Sequence, residues 1–318
     1  MKLIQIIFLL IFSCNLGCER NDKNKEENVD SEIVKLTQKP EGSNDAKQIS
    51  MDNTLDIVTW NLEWFGAPWK SKNSNSISEQ LNSVTNKIRE INADVYALQE
   101  VVIDYARGDN LKILVDELNK GEDIWEGVYS DSYYYFSNDY PSQRICYIYK
   151  KETVIKMEAF PMFKSEYSSG NADWASGRLP FRLKAEVNIN GNYTEIQFIN
   201  IHAKCCKSKN SPNRRRNDAV QLIKKLNTTF LNDNVIVLGD YNDYINKSMD
   251  GGSSPYEVFY VDNNKYYKHV VGTGIDHISI SNELYDEFDA LKNNSKKYNV
   301  TISDHDPHMV RLWLKYKK

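Results

Sequence analysis

The hydrophobic pattern divides the chain into three parts. Residues 3–12 form an apolar run that only Gln5 interrupts. Residues 19–50 carry mixed charge, almost no aromatic side chains and no apolar period, so they cannot bury enough surface to offset the entropy of ordering. From about Met51 onward, apolar residues recur with the spacings of strands and helices. We therefore predict a signal or lipoprotein segment at 1–18, a flexible tether at 19–50 and one folded domain at 51–318.

Strand and helix patterns are mixed along the folded part. Ser76, with Glu79 three residues later, predicts a helix N-terminus, and the apolar residues that follow step by threes and fours along one face. Two further helices are predicted over 111–119 and 214–230. Short runs rich in Val, Ile and Tyr predict strands over 55–60, 94–99, 133–136, 145–150, 181–189, 195–201, 235–238, 275–280 and 308–314. This order predicts two sheets with helices packed outside them.

The first segment has the pattern of an export signal. A single Lys precedes an apolar stretch that is too short to span a bilayer. Leu10-Ile11-Phe12-Ser13-Cys14 resembles a bacterial lipobox, and Leu16-Gly17-Cys18 is a second candidate. We expect an exported protein that is secreted or is held on the cell surface or periplasmic face by a lipid on Cys14 or Cys18.

Three cysteines, Cys146, Cys205 and Cys206, lie in the folded part. A disulfide between sequence neighbours is strained, so we expect one of the adjacent pair to bond to Cys146 or to stay a thiol. A transition-metal site with His202 is disfavoured, because no second Cys/His cluster has the spacing of a zinc site.

Charge changes the picture of possible partners. The 318 residues include 40 Lys+Arg and 44 Asp+Glu, which gives a net charge of -4 and excludes a binder that works by bulk positive charge. Any contact with a polyanion must be local. The run Arg214-Arg215-Arg216, with three lysines shortly before it, is the densest basic stretch and the candidate for that surface. The alternative is an ordinary solvated helix face.

Polar residues stand where several predicted strands end. Asn61 follows the first strand, Glu100 the second, and Asp240 a late one. A hard divalent cation takes oxygen ligands from different elements, and Mg2+ uses one or two carboxylates together with water and substrate phosphate. These strand ends therefore predict a metal site.

The strand ends belong to six ordered motifs. They are Trp60-Asn61-Leu62-Glu63-Trp64, Leu98-Gln99-Glu100-Val101, Ile199-Asn200-Ile201-His202, Leu238-Gly239-Asp240-Tyr241-Asn242, Gly274-Ile275-Asp276-His277 and Ile302-Ser303-Asp304-His305. The set resembles the endonuclease/exonuclease/phosphatase superfamily with the deoxyribonuclease I-like fold, here as a bacterial lipoprotein member. The resemblance implies a four-layer α/β sandwich, in which helices flank two central mixed β-sheets and the site lies at one end.

The resemblance also implies roles for individual residues. Asn61, Glu100 and Asp304 match metal-site positions, with Mg2+ as the expected ion and Mn2+ or Ca2+ as alternatives. His305 matches the histidine that activates water or stabilises the phosphorane, and Asp276 matches the carboxylate that orients it. A histidine with such a partner has a fixed tautomer and a raised basicity.

Further positions carry over from the same motifs. Asp240 and Asn242 match the pair that positions the attacking water and holds a phosphate oxygen. His202 matches a second histidine that serves as general acid or phosphate ligand in the deoxyribonuclease I branch. Ser176-Gly177-Arg178-Leu179-Pro180-Phe181 resembles the Arg-x-Pro-Phe segment of deoxyribonuclease I, which implies that Arg178 contacts the phosphate backbone, and Arg144 is a second candidate for that contact.

Two positions depart from the pattern or add to it. Gln143 stands where deoxyribonuclease I has a Glu beside the second histidine, and an amide supplies no charge to hold an imidazolium. The acid role of His202 is therefore in question. Glu63 is an additional candidate for the metal side of the site.

We expect an exported, metal-dependent phosphodiesterase, and foremost an endonuclease that hydrolyses DNA by in-line attack of a metal- and His305-assisted water. The runner-up is a sphingomyelinase-like phospholipid phosphodiesterase or another phosphoesterase on this scaffold. Inositol phosphatases are disfavoured, because the Trp-Cys that they carry before the Asp276 motif is missing. A catalytically silent surface-binding module is the alternative of another class, and the complete motif set argues against it. The expected partners are nucleic acid and the membrane, and the chain is expected to be a monomer.

Overall fold

A computed structural model describes residues 53–133, 141–170, 173–207, 210–259, 266–272 and 274–314. All of them belong to one contact unit, Ile49–Lys318. The predicted signal segment, lipid-anchor cysteines and tether lie outside the described residues and stay predictions, as does the predicted strand 133–136 beyond Tyr133. No helix in the described part has both the length and the apolar character that crossing a membrane requires.

Strands make up most of the described architecture. In chain order they are β1 Thr54–Phe65, β2 Val95–Asp104, β3 Gly108–Asp109, β4 Trp125–Tyr129, β5 Gln143–Lys150, β6 Val154–Pro161, β7 Phe181–Ile189, β8 Asn192–His202, β9 Val235–Asp240, β10 Tyr267–Val271, β11 Asp276–Ser281, β12 Ser295–Lys297 and β13 His308–Trp313. The α-helices are α1 Ile77–Ile91, α2 Asn110–Leu118, α3 Lys164–Ser168, α4 Trp174–Gly177, α5 Ser211–Thr229 and α6 Tyr285–Asp289. Two short 3₁₀ helices span Glu257–Phe259 and Asn282–Leu284.

The strands form two mixed sheets. The first has the order β12-β13-β1-β2-β5-β4, with β3 paired to β2, and the second has the order β10-β11-β9-β8-β7-β6. Within each sheet one central pair is parallel, β1 with β2 and β8 with β9, and the other described pairs are antiparallel. Each parallel pair brings two carboxyl ends to the same edge of its sheet.

Three apolar layers hold the elements together. The layer between the sheets includes Ile57 of β1 and Phe198 of β8. The next residue, Val58, points to the opposite face and packs in the layer that contains α1 and α2. On the far side of the second sheet, Ile199 packs with Leu222 of α5. This alternation along the strands confirms the predicted four-layer α/β sandwich.

The element predictions are confirmed where local pattern determines structure. Ser76 caps α1, since its Oγ accepts a hydrogen bond from the Glu79 amide at 3.1 Å. Strand β7 has the predicted bounds. The sequence pattern did not predict β3, β4, β6, β10 and β12. In β6 the apolar residues Ile155 and Met157 are exposed, so its alternation does not follow the rule that apolar residues face inward.

A buried polar contact joins the two sheets. The Gln99 Nε2 of β2 donates to Asn200 Oδ1 of β8 at 2.7 Å and to Thr59 Oγ1 of β1 at 3.1 Å. Asn200 Nδ2 in turn donates to the carbonyls of Cys146 at 3.0 Å and Leu98 at 3.2 Å. These amides have fixed partners, so they specify how the sheets align behind the strand ends.

Gly239 allows β8 and β9 to approach closely. It pairs with Ile201, has a φ of 137°, and a Cβ added there would lie 2.0 Å from the Ile201 carbonyl oxygen. An L side chain is excluded by both the contact and the backbone angle. This approach sets the next pair, His202 beside Asp240, at the sheet edge.

The prediction that α5 presents a basic surface is wrong for Arg215, the central residue of the arginine run. Arg215 is fully buried, and its Nε donates to Asp243 Oδ2 at 3.0 Å. Arg214 forms an ion pair with Asp173, and Arg216 forms one with Asp250. Helical spacing cannot reveal these acidic partners, which lie far away in sequence. The run is therefore built into local structure and is not a free cationic patch.

The structure distinguishes between the two expected states of the cysteines, a disulfide to Cys146 and free thiols. None of the three described cysteines, Cys146, Cys205 and Cys206, takes part in a disulfide. Cys146 is buried in β5, so the expected alternative of a bridge from it is wrong and the thiol alternative holds.

Replacing Gly239 with Ala is expected to destabilise the fold by about 2 to 4 kcal/mol, because the new Cβ must displace the β8 backbone. Gly251→Ala is the matched control, since it has a φ of 89° and no described atom within 4 Å of the added Cβ. We expect it to cost only about 1 kcal/mol. Urea denaturation of both variants measures the difference, and equal losses would contradict the close approach.

Replacing Arg215 with Met is expected to cost about 3 to 5 kcal/mol, because it leaves the Asp243 carboxylate buried without its cation. Arg216→Met is the control, since it breaks an exposed ion pair one residue away and is expected to change stability little. Chemical denaturation separates the two, and a stable Arg215→Met variant would show that Asp243 finds another partner.

Candidate active site

Five polar side chains from both sheets meet at one end of the sandwich. Asn61 and Glu100 come from β1 and β2 of the first sheet. His202, Asp240 and Asp276 come from β8, β9 and β11 of the second, where Asp240 pairs in register with both of the others. The carboxyl ends of the parallel pairs place four of these side chains at the same edge, as the strand-end pattern predicts.

Asn61 connects the carboxylates of the two sheets. Its Nδ2 donates to Glu100 Oε1 at 3.3 Å and to Asp240 Oδ2 at 3.1 Å. Its Oδ1 accepts the amide of Glu63 at 3.0 Å, and the second oxygen of Glu100 accepts the amide of Trp64 at 3.2 Å. One amide side chain thus holds two acidic groups together across the sandwich.

Several residues in and beside this cluster have a left-handed backbone conformation. Glu100 has a φ of 61° at a bulge in β2, and Asn242 has a φ of 50° just after β9. Glu63 and Trp64 have φ values of 45° and 59°. Non-glycine residues adopt this region rarely and at a cost in free energy, and such residues concentrate at functional sites.

His305 and Asp276 form the predicted pair. Nδ1 of His305 lies 2.7 Å from Asp276 Oδ2, which fixes the imidazole orientation. Nε2 of His305 faces Asp304 Oδ1 at 3.6 Å and Asp240 Oδ2 at 3.9 Å. Asp304 is exposed, whereas Asp240 is buried. The free edge of the imidazole therefore points toward the carboxylates.

Two residues that the sequence reading did not single out position this loop. Ser303 Oγ donates to the carbonyl of Asn61 at 2.8 Å and accepts the amide of His305 at 3.1 Å. Trp60 Nε1 donates to the His305 carbonyl at 3.0 Å. Trp60 directly precedes Asn61, and Ser303 lies two residues before His305, within the motifs described above. This proximity in sequence is the feature that could have identified them as residues of the site.

The site concentrates acidic groups in a poorly solvated place. Burial raises the pKa of Asp240 to about 7, and the Asp276 charge adds to this, while His305 and the hydrogen bonds from Asn242 and Asn61 oppose it. Burial likewise raises the pKa of Glu100.

His305 is the counter-charge in this cluster. Burial acts to lower its pKa, but the charges of Asp276, Asp240 and Asp304 and the hydrogen bond to Asp276 outweigh burial and raise it well above its usual value. The surrounding carboxylates thus favour the protonated form of His305.

His202 behaves differently. It is buried, and its Nε2 lies 3.5 Å from Asp240 Oδ2 and 3.6 Å from Glu100 Oε1. Burial, together with the charges of Arg178 and His305, lowers its pKa well below the usual value. A neutral imidazole fits a hydrogen-bonding role at a phosphate better than that of a proton donor, and the predicted acid role stays a prediction.

Arg178 explains the place of Gln143. Its Nη1 donates to Gln143 Oε1 at 2.5 Å, and its Nη2 donates to the carbonyl of Ala203 at 3.4 Å. Gln143 therefore holds an arginine, and its described hydrogen bond is not to His202. Arg178 is buried close to the acidic cluster, where a guanidinium suits a phosphate oxygen.

Arg144 is engaged elsewhere. Its Nε and Nη1 donate to the carbonyls of Ile103 at 3.2 Å and Ser130 at 2.8 Å, and its guanidinium stacks on Tyr129 and Tyr133. These contacts tie β5 to its neighbours, so the predicted phosphate contact of Arg144 gains no support here.

Glu63 is also occupied. Its carboxylate accepts the amide of Lys72 at 2.8 Å and Nδ2 of Asn73 at 2.6 Å. It fastens the loop after β1 and is not among the residues that the structure gathers as metal donors. Asn242 does belong to the site, since its amide donates to Asp240 Oδ1 at 2.8 Å and its Nδ2 donates to the Ala203 carbonyl at 3.1 Å.

The donor set fits a hard divalent cation. Asp240, Asp276 and His305 place potential ligand atoms within 4.8 Å of one another. Asp276 Oδ2 already accepts the His305 hydrogen bond, and Asn61 Oδ1 accepts the Glu63 amide. The carboxylate oxygens of Glu100 and Asp240 are therefore the better donors, and Asp304 lies at the open side. Buried carboxylates with raised pKa values need a cation to offset their repulsion, and oxygen ligands are those that Mg2+ prefers.

Solved structures with the same architecture support the fold. A structure from Bacteroides vulgatus, described as an endonuclease/exonuclease/phosphatase, has a TM-score of 0.56 at 16% identity over 82% of this chain and 99% of its own. A family protein from Bacteroides thetaiotaomicron has a TM-score of 0.51 at 12% identity, covering 83% and 96%. The human Nocturnin catalytic domain with bound sulfate has a TM-score of 0.53 at 12% identity, covering 81% and 94%. At such identities the likeness shows the fold alone.

Sequence comparison identifies the family. No curated protein matches the chain. A family sequence model described as "Endonuclease/Exonuclease/phosphatase family" matches residues 58–305. This stretch contains every strand end and loop that forms the acidic site, and members of the family hydrolyse phosphoesters. The chain therefore belongs to the Endonuclease/Exonuclease/phosphatase family.

Proposed function

We propose that this chain is a metal-dependent phosphodiesterase and that it acts on DNA as an endonuclease. The observation that supports hydrolysis is the pair His305 and Asp276, whose free imidazole nitrogen faces the buried Asp240 beside Glu100 and Asn61. This arrangement combines a proton-exchanging group with oxygen donors for a cation, which phosphoester hydrolysis requires.

The chain's own residues account for proton handling and orientation. Asp276 accepts the Nδ1 proton of His305, so Nε2 is the atom that exchanges a proton with the reacting water. Asp240, whose pKa is raised to about 7 chiefly by burial, orients that water. Asn242 is held beside it through its amide and is placed to donate to a phosphate oxygen.

A divalent cation, when bound, supplies positive charge that stabilises the charge developing on the phosphate oxygens. Glu100 and Asp240 would hold it, with Asn61 bridging the two carboxylates and Asp304 at the exposed side. Arg178 and neutral His202 would bind the phosphate by donating hydrogen bonds, and both side chains are buried, which strengthens such contacts.

The ion pairs of the arginine run on α5 favour a small phosphoester as a second candidate substrate. Arg214, Arg215 and Arg216 are ion-paired, so they do not supply the free cationic track that long DNA contacts use. A small phosphoester, which needs only Arg178 and the cation, is the alternative. Export and a lipid anchor at Cys14 or Cys18 belong to the proposal and rest on sequence alone, and fractionation of the producing cells tests them.

Purified chain is expected to nick plasmid DNA with Mg2+, and EDTA is expected to abolish this. His305→Ala is expected to lose about 10²- to 10⁴-fold in rate, because no group then exchanges the proton. RNA, sphingomyelin and a chromogenic phosphodiester are assayed in parallel.

His269→Gln is the control for that substitution, since the described side-chain hydrogen bond of His269 is to His277 and not to a residue of the cluster. It is expected to keep activity. Turnover of lipid or of a small phosphoester without nicking would exclude DNA as the substrate, and no turnover of any phosphoester would contradict the proposed hydrolysis.

Glu100→Gln is expected to abolish activity while leaving metal-free stability unchanged or raised. A carboxyl whose folded pKa is raised destabilises the fold once pH exceeds its unfolded pKa, so removing its charge relieves that cost at neutral pH. Thermal unfolding in EDTA measures this effect, with Glu122→Gln on an exposed bend as control.

Mg2+ or Mn2+ at about a hundredfold its dissociation constant is expected to stabilise the unsubstituted chain by ~2.7 kcal/mol. The Glu100→Gln variant is expected to show much less stabilisation. Equal stabilisation of the two proteins would remove Glu100 from the metal site.

A further inference from the structure

Cys205 and Cys206 lie just after His202, beside the acidic site. Their Sγ atoms are 2.7 Å apart, and the Cys206 thiol donates to the sulfur of Cys205. Both residues are half-buried, and Cys206 has a φ of 80°, in the left-handed region. The two sulfurs are thus held together by the backbone and remain within reach of small molecules.

The loop that carries these cysteines also carries contacts of the site. The Ala203 carbonyl accepts hydrogen bonds from Asn242 Nδ2 at 3.1 Å and from Arg178 Nη2 at 3.4 Å. Buried Arg215 donates to the carbonyls of Lys204 and Cys206, each at 2.9 Å. A change of backbone at 205–206 therefore reaches two residues that handle phosphate.

The surroundings activate one of the two thiols. The hydrogen bond from Cys206, joined by the charges of Lys204, Arg178 and Arg215, lowers the pKa of Cys205 to about 5 against the opposing effect of burial. Lys204 Nζ lies 3.9 Å from the Cys205 sulfur. A half-buried thiolate beside cations is the reactive form of cysteine.

We propose that Cys205 and Cys206 are a redox modification site, which a low-molecular-weight disulfide oxidises to a vicinal disulfide that lowers the activity of the adjoining site. The Cys205 thiolate attacks the small disulfide, forms a mixed disulfide and releases one small thiolate. The Cys206 thiol then attacks the Cys205 sulfur, loses its proton to solvent and releases the second. Two protein thiols are oxidised by two electrons, and one small disulfide is reduced to two thiols.

The geometry makes this disulfide reversible. Adjacent residues joined by a trans peptide have Cα atoms about 3.8 Å apart, shorter than the roughly 4.4–6.8 Å of ordinary disulfides. Closing the ring must therefore distort the 205–206 peptide. Strained disulfides are reduced readily, which suits a regulatory bond and not a structural one.

The effect on activity rests on the proposed hydrolysis. Distortion of the 205–206 peptide shifts the carbonyls that Arg215 holds and, through Ala203, the positions of Asn242 and Arg178. Small displacements of groups that position a substrate lower rates strongly. The oxidation itself does not depend on what the enzyme hydrolyses.

The test uses the full chain with Cys14→Ser and Cys18→Ser, which leaves three thiols. After treatment with oxidised glutathione we expect a mass lower by two hydrogens, one remaining thiol, and a peptide in which Cys205 and Cys206 are joined. Phosphodiesterase activity is expected to fall by about tenfold or more, in line with the cost of misplaced binding groups, and to return with dithiothreitol.

Three variants act as controls. Cys206→Ser is expected to stop at a stable glutathione adduct on Cys205, and Cys205→Ser is expected to react slowly or not at all. Cys146→Ala is expected to behave as the parent, because Cys146 is buried and burial raises the pKa of its thiol.

Stable adducts in place of a closed ring, or three unreacted thiols, would overturn the proposal. A closed ring with unchanged activity would overturn its regulatory part. If the reduced chain hydrolyses no phosphoester, the proposed function fails, while thiol count and mass still decide whether the pair is a modification site.

Discussion

The end of the sandwich must hold several acidic groups where water is scarce. Glu100, Asp240 and Asp276 come from different strands, and in the described part of the chain His305 and Arg178 are the cations that act on these carboxylates. Uncompensated burial of a carboxylate costs several kcal/mol. The free energy that offsets this burial comes from the rest of the fold, namely the apolar layer between the sheets and the two apolar layers outside them. The left-handed backbone at Glu100 adds to the free energy that these layers must offset.

The parts of the structure that could be predicted from the sequence are those that local patterns determine. The two-residue alternation of β7 and the cap at Ser76 are local, and the structure has both where predicted. The strand-end motifs also carry enough information to place Asn61 and Asp240 together. The edge strand β6 was not predicted because successive residues 155–158 are exposed on both of its faces, so no alternation of buried apolar residues marks it.

Contacts between segments that are distant along the chain could not be predicted from the sequence. Arg215 and Asp243 are separated by 28 residues and meet only because α5 packs on the second sheet. Gln143 departs from the pattern of deoxyribonuclease I, and its described partner is Arg178 and not His202. In both cases the residue type was informative, but the identity of the partner depended on tertiary packing. The lowered pKa of His202 likewise follows chiefly from burial, which no single motif encodes.

The polar contact between Gln99 and Asn200 has a consequence for motion. It lies a short distance behind the site and links the sheets through buried amides on both sides. Sliding one sheet over the other would break these bonds in a place without water to replace them. The catalytic end is therefore expected to open only in global unfolding, so its amide protons should be among the slowest to exchange with deuterium, while the β6 and β12 margins exchange by local fraying.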